Sequence, residues 1–383
     1  MKTTKWILCS WITVLSVAGM AVNSFAASPE FAYSEETWAA LKDNNLKYAE
    51  ISDLIHEYNS TVIQNQIEYK EYKNKSRDDI SEDYYDAADD VEANLEYPDS
   101  SDENYASSLY SYLNGKSNAD SLREEGDDNV EDGDIKKLGY DQTEAGLVKE
   151  AQENMISYWS QTYSLESLQK ELEQYQTAYD SAVRKLNAGV SAQSDVLSAK
   201  EAVTTAEASL LSAESSLKKT RQNLCQMLGW SYETEISIEE VPEPDVNEIS
   251  SIDLQTDIQA GLTSNYNLKI LEKKIANAQS TTSKESLQEN YSSQKVTVAN
   301  SIKSSYQSLI LSKSDYEFAY QTYETEKTNM DAAKRKLQAG TITKNEYMEQ
   351  QLAYTQAEVN VRTQKLMLLQ AQLEYQWAVK GIA

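Results

Sequence analysis

Few residues in this chain are equipped for covalent or metal chemistry. His56 is the only histidine, so a Ser-His-Asp or Cys-His arrangement would have to be built on it, and it stands in a polar helical run. Of the two cysteines, Cys9 lies in the N-terminal apolar stretch, without the flanking residues of a lipid-attachment site. Cys225 then has no internal disulfide partner, and its helical setting reads as that of a packed small residue. Asp128–Gly133 carries a glycine where an EF-hand loop has its central one. Val130 and Gly139, however, fall at the third and twelfth loop positions, where oxygen ligands are required. No Gly-rich phosphate loop or spaced His/Cys cluster occurs. The residues therefore predict no enzyme, no metal site and no cofactor.

What remains is chemistry of contact, and it is written twice. Ala182-Val-Arg-Lys-Leu-Asn-Ala-Gly189 recurs 151 residues later as Ala333-Lys-Arg-Lys-Leu-Gln-Ala-Gly340, identical at six of eight positions. A bare turn needs only a glycine and a cap, whereas here Arg184, Leu186, Gly189, Val190 and Asp195 are matched by Arg335, Leu337, Gly340, Thr341 and Glu346, with Ser191 and Thr343 as the expected caps. Gly189 and Gly340 suit the left-handed position that ends a helix. Thr343 and Glu346 form a capping box that starts the next one. In the first copy Ser191 is the expected cap, with Asp195 adding first-turn negative charge. Leu186 and Leu337 anchor the seam, which leaves Val190 and Thr341 at the apex as candidate partner-docking positions.

The elements that hold these turns are long helices. After the first turn, Val196, Val203, Leu210, Leu217 and Leu224 recur every seven residues, with Ala199, Ala206, Ala213, Thr220 and Met227 three residues behind each. That is a heptad seam with many small residues, which lets helices approach closely. The second copy repeats the pattern in Tyr347, Tyr354, Val361, Leu368 and Tyr375. A repeat at this distance implies duplication of a whole helical hairpin. Each copy should open with a short helix and a break, at Asn44-Asn45 in the first and at Ser264-Asn265 in the second.

Helix lengths then define the organisation. A reversal near Ser280–Ser283 gives the second copy a descending helix of about 56 residues, or about 80 Å. Subtracting the 151-residue offset places the start of the first copy's long helix near Gly133. The boundaries that follow are a signal peptide over 1–26, a first hairpin repeat over 27–238, a linker over 239–251 and a second repeat over 252–383. The first repeat carries an insertion at about 78–132, where 20 Asp/Glu between Asp78 and Asp134 face only Lys116 and Arg123. That charge density predicts a solvated, partly disordered segment.

Composition agrees with long polar-faced helices. The chain has four prolines and eleven glycines in 383 residues and a mean hydropathy of -0.64, and all four prolines lie between the periodic stretches. Lys2, Lys5, the apolar run from Trp6 to Met20 and Ser24-Phe25-Ala26 read as a cleavable export signal. A net charge of -27 argues against nucleic acid, which needs a basic face.

With the duplicated turns in view, the chain resembles the TolC-type outer-membrane efflux proteins over most of residues 34–76 and 140–381. Arg184-Lys-Leu-Asn-Ala-Gly189 followed by Asp195-Val-Leu197 is close to that family's tip motif, and Arg335 to Met348 is a degenerate second copy. The resemblance implies an all-α fold of duplicated long antiparallel coiled-coil hairpins, the protomer of a TolC-like α-barrel. It implies a homotrimer whose hairpin tips dock on an adaptor (membrane-fusion) protein coupled to an ABC-type or other pump. It also implies a place in the cell envelope, at the outer membrane and periplasm if there are two membranes and at the cell surface if there is one. The sequence departs from the family in lacking alternating strands of about ten residues with an apolar face, so no clear β-barrel is expected. The alternative reading is an extracytoplasmic coiled-coil scaffold, or an adaptor, with no conduit.

Overall fold

The computed structural model describes residues 34–101, 103–231 and 233–382. The export signal expected over 1–26 lies outside them. The described chain falls into two units. The first ends at Lys42 and holds one helix, α1 (Glu35–Leu41), whose N-terminus Ser34 caps by accepting from the Thr37 N–H.

The second unit, from Asp43 on, is built on two long helical hairpins. In chain order its elements are β1 (Asn45–Leu46), α2 (Ile51–Tyr58), α3 (Ser60–Tyr72), α4 (Arg77–Ala93), α5 (Tyr105–Asp128), α6 (Gly133–Asn187) and α7 (Gln193–Met227). After these come β2 (Ser237–Ile238), α8 (Val246–Ser251), α9 (Leu254–Ser264), α10 (Tyr266–Asn277), α11 (Thr281–Gln338) and α12 (Lys344–Lys380). The all-α expectation holds: the strands among the described residues are two-residue pieces, β1 and β2, paired parallel with Leu46 opposite Ile238.

The first hairpin is α6 with α7 and the second is α11 with α12; α6 also packs along α12. The four helices therefore stand in the order α7, α6, α12, α11, with α7 and α11 at the two edges. The heptad seam of α7 lies against its neighbour as its spacing requires. Val196, Ala206 and Leu224 are buried, and Ala199, Val203, Leu210, Ala213, Leu217, Thr220 and Met227 are half-buried. Long α6 begins at Gly133, where the Asp132 carboxylate accepts from the Ile135 N–H at 2.8 Å. Its counterpart α11 begins one residue after its cap, Ser280.

Burial is concentrated far from the tips. Ile258, Leu268, Ile302, Leu309, Leu368 and Tyr375 belong to one apolar cluster that joins α9, α10, α11 and α12. Ile156 with Leu366, Leu369 and Leu373 forms a second, between α6 and α12. The C-terminal half of α12 serves both clusters, which is why its buried residues spread around the helix (Leu368, Leu369, Ala371, Gln372, Leu373) where a seam would predict a stripe.

A buried asparagine repeats in the two copies. Asn59, between α2 and α3, caps α3 by accepting from the Thr61 N–H, while its Nδ2 donates to the Met227 carbonyl at the end of α7 (2.8 Å). Asn265, between α9 and α10, accepts from the Leu268 N–H and donates to the Gly381 carbonyl beyond α12 (3.1 Å). Each asparagine satisfies helix-end groups that burial would otherwise leave costly. The break equivalent to Ser264-Asn265 is therefore Asn59, and not Asn44-Asn45, which begins β1.

One further expectation is corrected. The acidic segment forms an ordered antiparallel pair, α4 and α5, described below. The stretch between the hairpins is partly helical: α8 lies within it, and Gln372 holds it by accepting from the Asp245 N–H and donating to Glu248.

Candidate docking tips

At each tip the chain leaves one helix and enters the next in five residues, and the two tips are built alike. Helix α6 ends through two backbone bonds, from the Gly189 N–H to the Leu186 carbonyl (2.9 Å) and from the Val190 N–H to the Lys185 carbonyl (3.0 Å). At the end of α11 the Gly340 N–H reaches Leu337 (3.0 Å) and the Thr341 N–H reaches Lys336 (2.9 Å). This double closure is the Schellman motif, which needs a left-handed residue at its turn. Gly189 has φ 72° and Gly340 φ 69°, values at which a side chain would be strained.

The helix starts differ by one side chain. Thr343 and Glu346 make the full reciprocal box: the Glu346 N–H donates to Thr343 Oγ1, and the Glu346 carboxylate accepts from both the Thr343 N–H (2.7 Å) and its hydroxyl (2.8 Å). In the first tip the residue at the N-cap is Ala192, one position past the expected Ser191. Alanine has no oxygen to offer, so only half of the box forms: the Asp195 carboxylate accepts from the Ala192 N–H (3.1 Å) and from the Ser191 hydroxyl (2.5 Å). The repeat offset carries Thr343 back to Ala192, and that was the signal in the sequence for the true cap. The Ser191 hydroxyl and the Ala192 N–H hold the Asp195 carboxyl below its ordinary range, and the Thr343 N–H and hydroxyl do the same for Glu346.

Leu186 and Leu337 are half-buried in their seams, while Arg184 and Arg335 lie exposed a helical turn before the reversal. Thr341 is exposed, its hydroxyl donating to the Lys336 carbonyl. Val190, at 73% relative exposure, presents an apolar side chain to solvent at the apex.

The two tips lie at one end of the unit. Arg362 on α12 pairs with Glu166 on α6 (3.2 Å), and its guanidinium lies over the Tyr163 ring. Glu166 stands 21 residues before the end of α6 and Arg362 18 residues after the start of α12, so both lie about 30 Å from their tips. Sequence reading did not find this lock, because Arg362 is 196 positions from Glu166 and neither belongs to a motif.

Elsewhere, His56 pairs with Glu144, between α2 and α6 (2.9 Å), and Cys225 is buried, which pushes its thiol upward. No group of three metal-ligating side chains occurs among the described residues. Likewise, none of their helices is long and apolar enough to cross a membrane.

Residues 118–230, which span the whole first hairpin and the end of α5, match the family profile described as Outer membrane efflux protein. By sequence alone, no curated protein matches the chain. Among solved structures, the outer-membrane channel OprN is 10% identical, with 91% of this chain and 93% of that one covered and a TM-score of 0.55. CusC is 9% identical, over 92% and 96%, with a TM-score of 0.54. The Campylobacter jejuni CmeC outer membrane channel is 10% identical, over 97% and 94%, with a TM-score of 0.50. The chain shares the fold of these outer-membrane channels over most of its length and carries the outer membrane efflux pattern across residues 118–230.

Proposed function

We propose that this protein is the duct component of an efflux or secretion assembly in the cell envelope, closed into a tube by copies of itself and docked through its hairpin tips on an adaptor protein coupled to a membrane pump. The observation that carries this reading is the pair of tips: two copies of one sequence, closed by the same hydrogen bonds, at one end of the unit. Ring closure has its own support. The edge helices α7 and α11 expose large apolar residues, Leu211 at 69% and Phe318 at 75%. These stand about 27 and about 30 Å from the tips along their helices, so the α7 edge of one copy can meet the α11 edge of the next in a heterologous contact that closes a ring. Three copies is the number that the resemblance implies.

Two variants test the two halves of the reading. Val190→Asp with Thr341→Asp should leave the helical melt within about 0.5 kcal/mol of wild type, because both residues are exposed. The oligomer should persist, while binding to the adaptor encoded by neighbouring genes and export in cells are lost. Leu211→Asp with Phe318→Asp should instead shift the mass in light scattering from oligomer to monomer. Wild-type binding and export by the tip variant would refute the docking assignment. A wild type that is monomeric at high concentration would favour a scaffold without a conduit.

A further inference from the structure

Charge is unevenly spread over this molecule. The acidic pair α4–α5 forms an arm that leaves the body between α3 and α6. Its helices pack chiefly on each other, and Lys116 and Arg123 join them across the seam. The base of the arm stands at the start of α6, a helix of 55 residues, and so about 80 Å from the tip at its end. At the tips the balance reverses. The stretches Arg184–Asp195 and Lys334–Glu346 hold six cations, Arg184, Lys185, Lys334, Arg335, Lys336 and Lys344, against the two carboxylates of Asp195 and Glu346. Both carboxylates are turned into the caps: Asp195 accepts from the Ser191 hydroxyl and the Ala192 N–H, and Glu346 from the Thr343 hydroxyl and N–H. The cations lie within four residues of their helix ends, whereas the next carboxylates, Asp180, Glu201, Asp331 and Glu349, stand five to eight residues away.

All six cations are exposed. The ion pairs nearest the tips along these helices, Lys170–Glu173, Lys327–Glu324 and Arg362–Glu358, include none of them. Cations in a helix's last turn complement its dipole, which accounts for Arg184, Lys185, Arg335 and Lys336. It does not account for Lys344, in the first turn of α12, where the dipole opposes positive charge. Backbone bonds set the apex and its cations side by side. The Val190 N–H donates to the Lys185 carbonyl, and the Thr341 N–H and hydroxyl both donate to the Lys336 carbonyl. The two tips are neighbours as well. Thr177 on α6 and Met348 on α12 line one groove, ten residues before the end of α6 and four after the start of α12, so the hairpins run side by side to within about 15 Å of their tips.

We infer that the tips receive an acidic protein surface, whose clustered Asp/Glu side chains pair with Arg184–Lys185 and Arg335–Lys336 while an apolar side chain covers Val190. The inference rests on the tip docking proposed above and names the chemistry of what docks there. Charge selects the occupant. The tips of a second copy bring the same cations and are repelled. An anionic bilayer would meet a chain of net charge -27, repelled by it everywhere but at the tips. A protein with a local patch of carboxylates meets only the tips, and complementary charge of this kind sets the partner and the rate of encounter.

The full chain is titrated by interferometry against the adaptor encoded by neighbouring genes, at low and high salt. Wild-type binding should weaken as salt screens the pairing. Arg184→Gln, Lys185→Gln, Arg335→Gln and Lys336→Gln together should weaken it about tenfold or more and remove most of the salt dependence. Lys218, Lys219, Lys284 and Lys303 are exposed and stand at least about 38 Å from the tips along their helices. Changing these four to Gln alters the charge equally and should weaken binding less than about twofold. Lys185→Glu with Lys336→Glu should abolish binding, and an adaptor whose tip carboxylates are changed to lysine should restore it. Circular dichroism and light scattering verify that each variant keeps the helicity and mass of wild type. If Val190→Asp with Thr341→Asp abolishes binding while the neutralised tips bind like wild type at both salts, the tips dock but the acidic partner is refuted. If both variants bind like wild type, the docking reading and the inference fall together. Equal weakening by the two neutralised chains would reduce the effect to net charge and overturn the inference. So would sedimentation with phosphatidylglycerol vesicles that the tip variant alone abolishes, which would reassign the cations to a membrane surface.

Discussion

The molecule contains two kinds of antiparallel helix pair, and comparing them separates two ways of holding helices together. The long pairs, α6 with α7 and α11 with α12, are joined by heptad seams and rooted in the buried clusters around Ile156 and Leu368. The acidic pair, α4 with α5, has a seam of small residues and depends on Arg77, Lys116 and Arg123. Apolar burial is non-directional and has no charge to screen or protonate, whereas exposed ion pairs are individually weak and screened. The topology is the same, yet the conditions that undo each pair should differ.

The largest effect is expected where burial is deepest. Leu368→Ala removes a fully buried side chain at the point where α11 and α12 meet the second copy's short helices. It should lower stability in a urea melt followed by circular dichroism by about 2–5 kcal/mol, with the acidic pair unaffected. A loss below about 1 kcal/mol would mean that the long hairpins do not depend on that cluster.

Arg123→Ala should act locally. It takes one of the two seam-crossing cations from the acidic pair, so amide exchange and proteolysis within 77–128 should speed up several-fold, while the main melt moves by less than about 0.5 kcal/mol. Destabilisation of the whole chain would show that the arm is a structural part of the body.

The smallest effect distinguishes the pairs by pH. Arg123 and then Lys116, through hydrogen bonds, hold the Glu92 carboxyl down at about 2. A depressed carboxyl stabilises the fold above its unfolded value, near 4.5, and that contribution is lost as pH falls through the folded value. The arm should therefore loosen in amide exchange between about pH 4.5 and about pH 2, whereas the clusters of the long hairpins should show no transition from this source. Asp195 and Glu346 at the tips are also depressed, so the tips should fray in the same direction below about pH 4. A tip or arm that tightens in that window would contradict the pairing described.

The same contrast governs what could be read from the chain. Residues spaced by seven announce the α7 seam, and a glycine followed by Thr343 and Glu346 announces a reversal, because both signals are local. Gly133 as the start of α6 follows from the repeat offset alone. The acidic pair was not legible by periodicity, since Ala88, Ala119 and Gly126 give no apolar stripe and the dense charge resembles that of an unfolded segment. Its signals were the caps: Ser76 with Asp79 forms a capping box at the start of α4, and Asp132 caps the next helix. Asn59 and Asn265 were hidden for another reason. Their partners, Met227 and Gly381, lie 168 and 116 residues away in the chain, and no local pattern marks a buried asparagine as a knot. At the candidate tips, the residues themselves were legible, but the Glu166–Arg362 lock that sets the two hairpins side by side was not.

The central position of α12 also bears on the order in which the structure can form. This helix follows every other described element in sequence, yet Leu366, Leu369 and Leu373 cover Ile156 of α6, and Leu368 and Tyr375 complete the cluster on α11. A chain emerging N-terminus first therefore holds both apolar surfaces open until its last helix arrives, and long-range contacts of this kind are slow to form. Copies without α12 present sticky α6 and α11 faces to proteases and chaperones, while copies with it hide them. Helix α12 thus covers both surfaces at once, and neither is closed until residues 344–380 are in place.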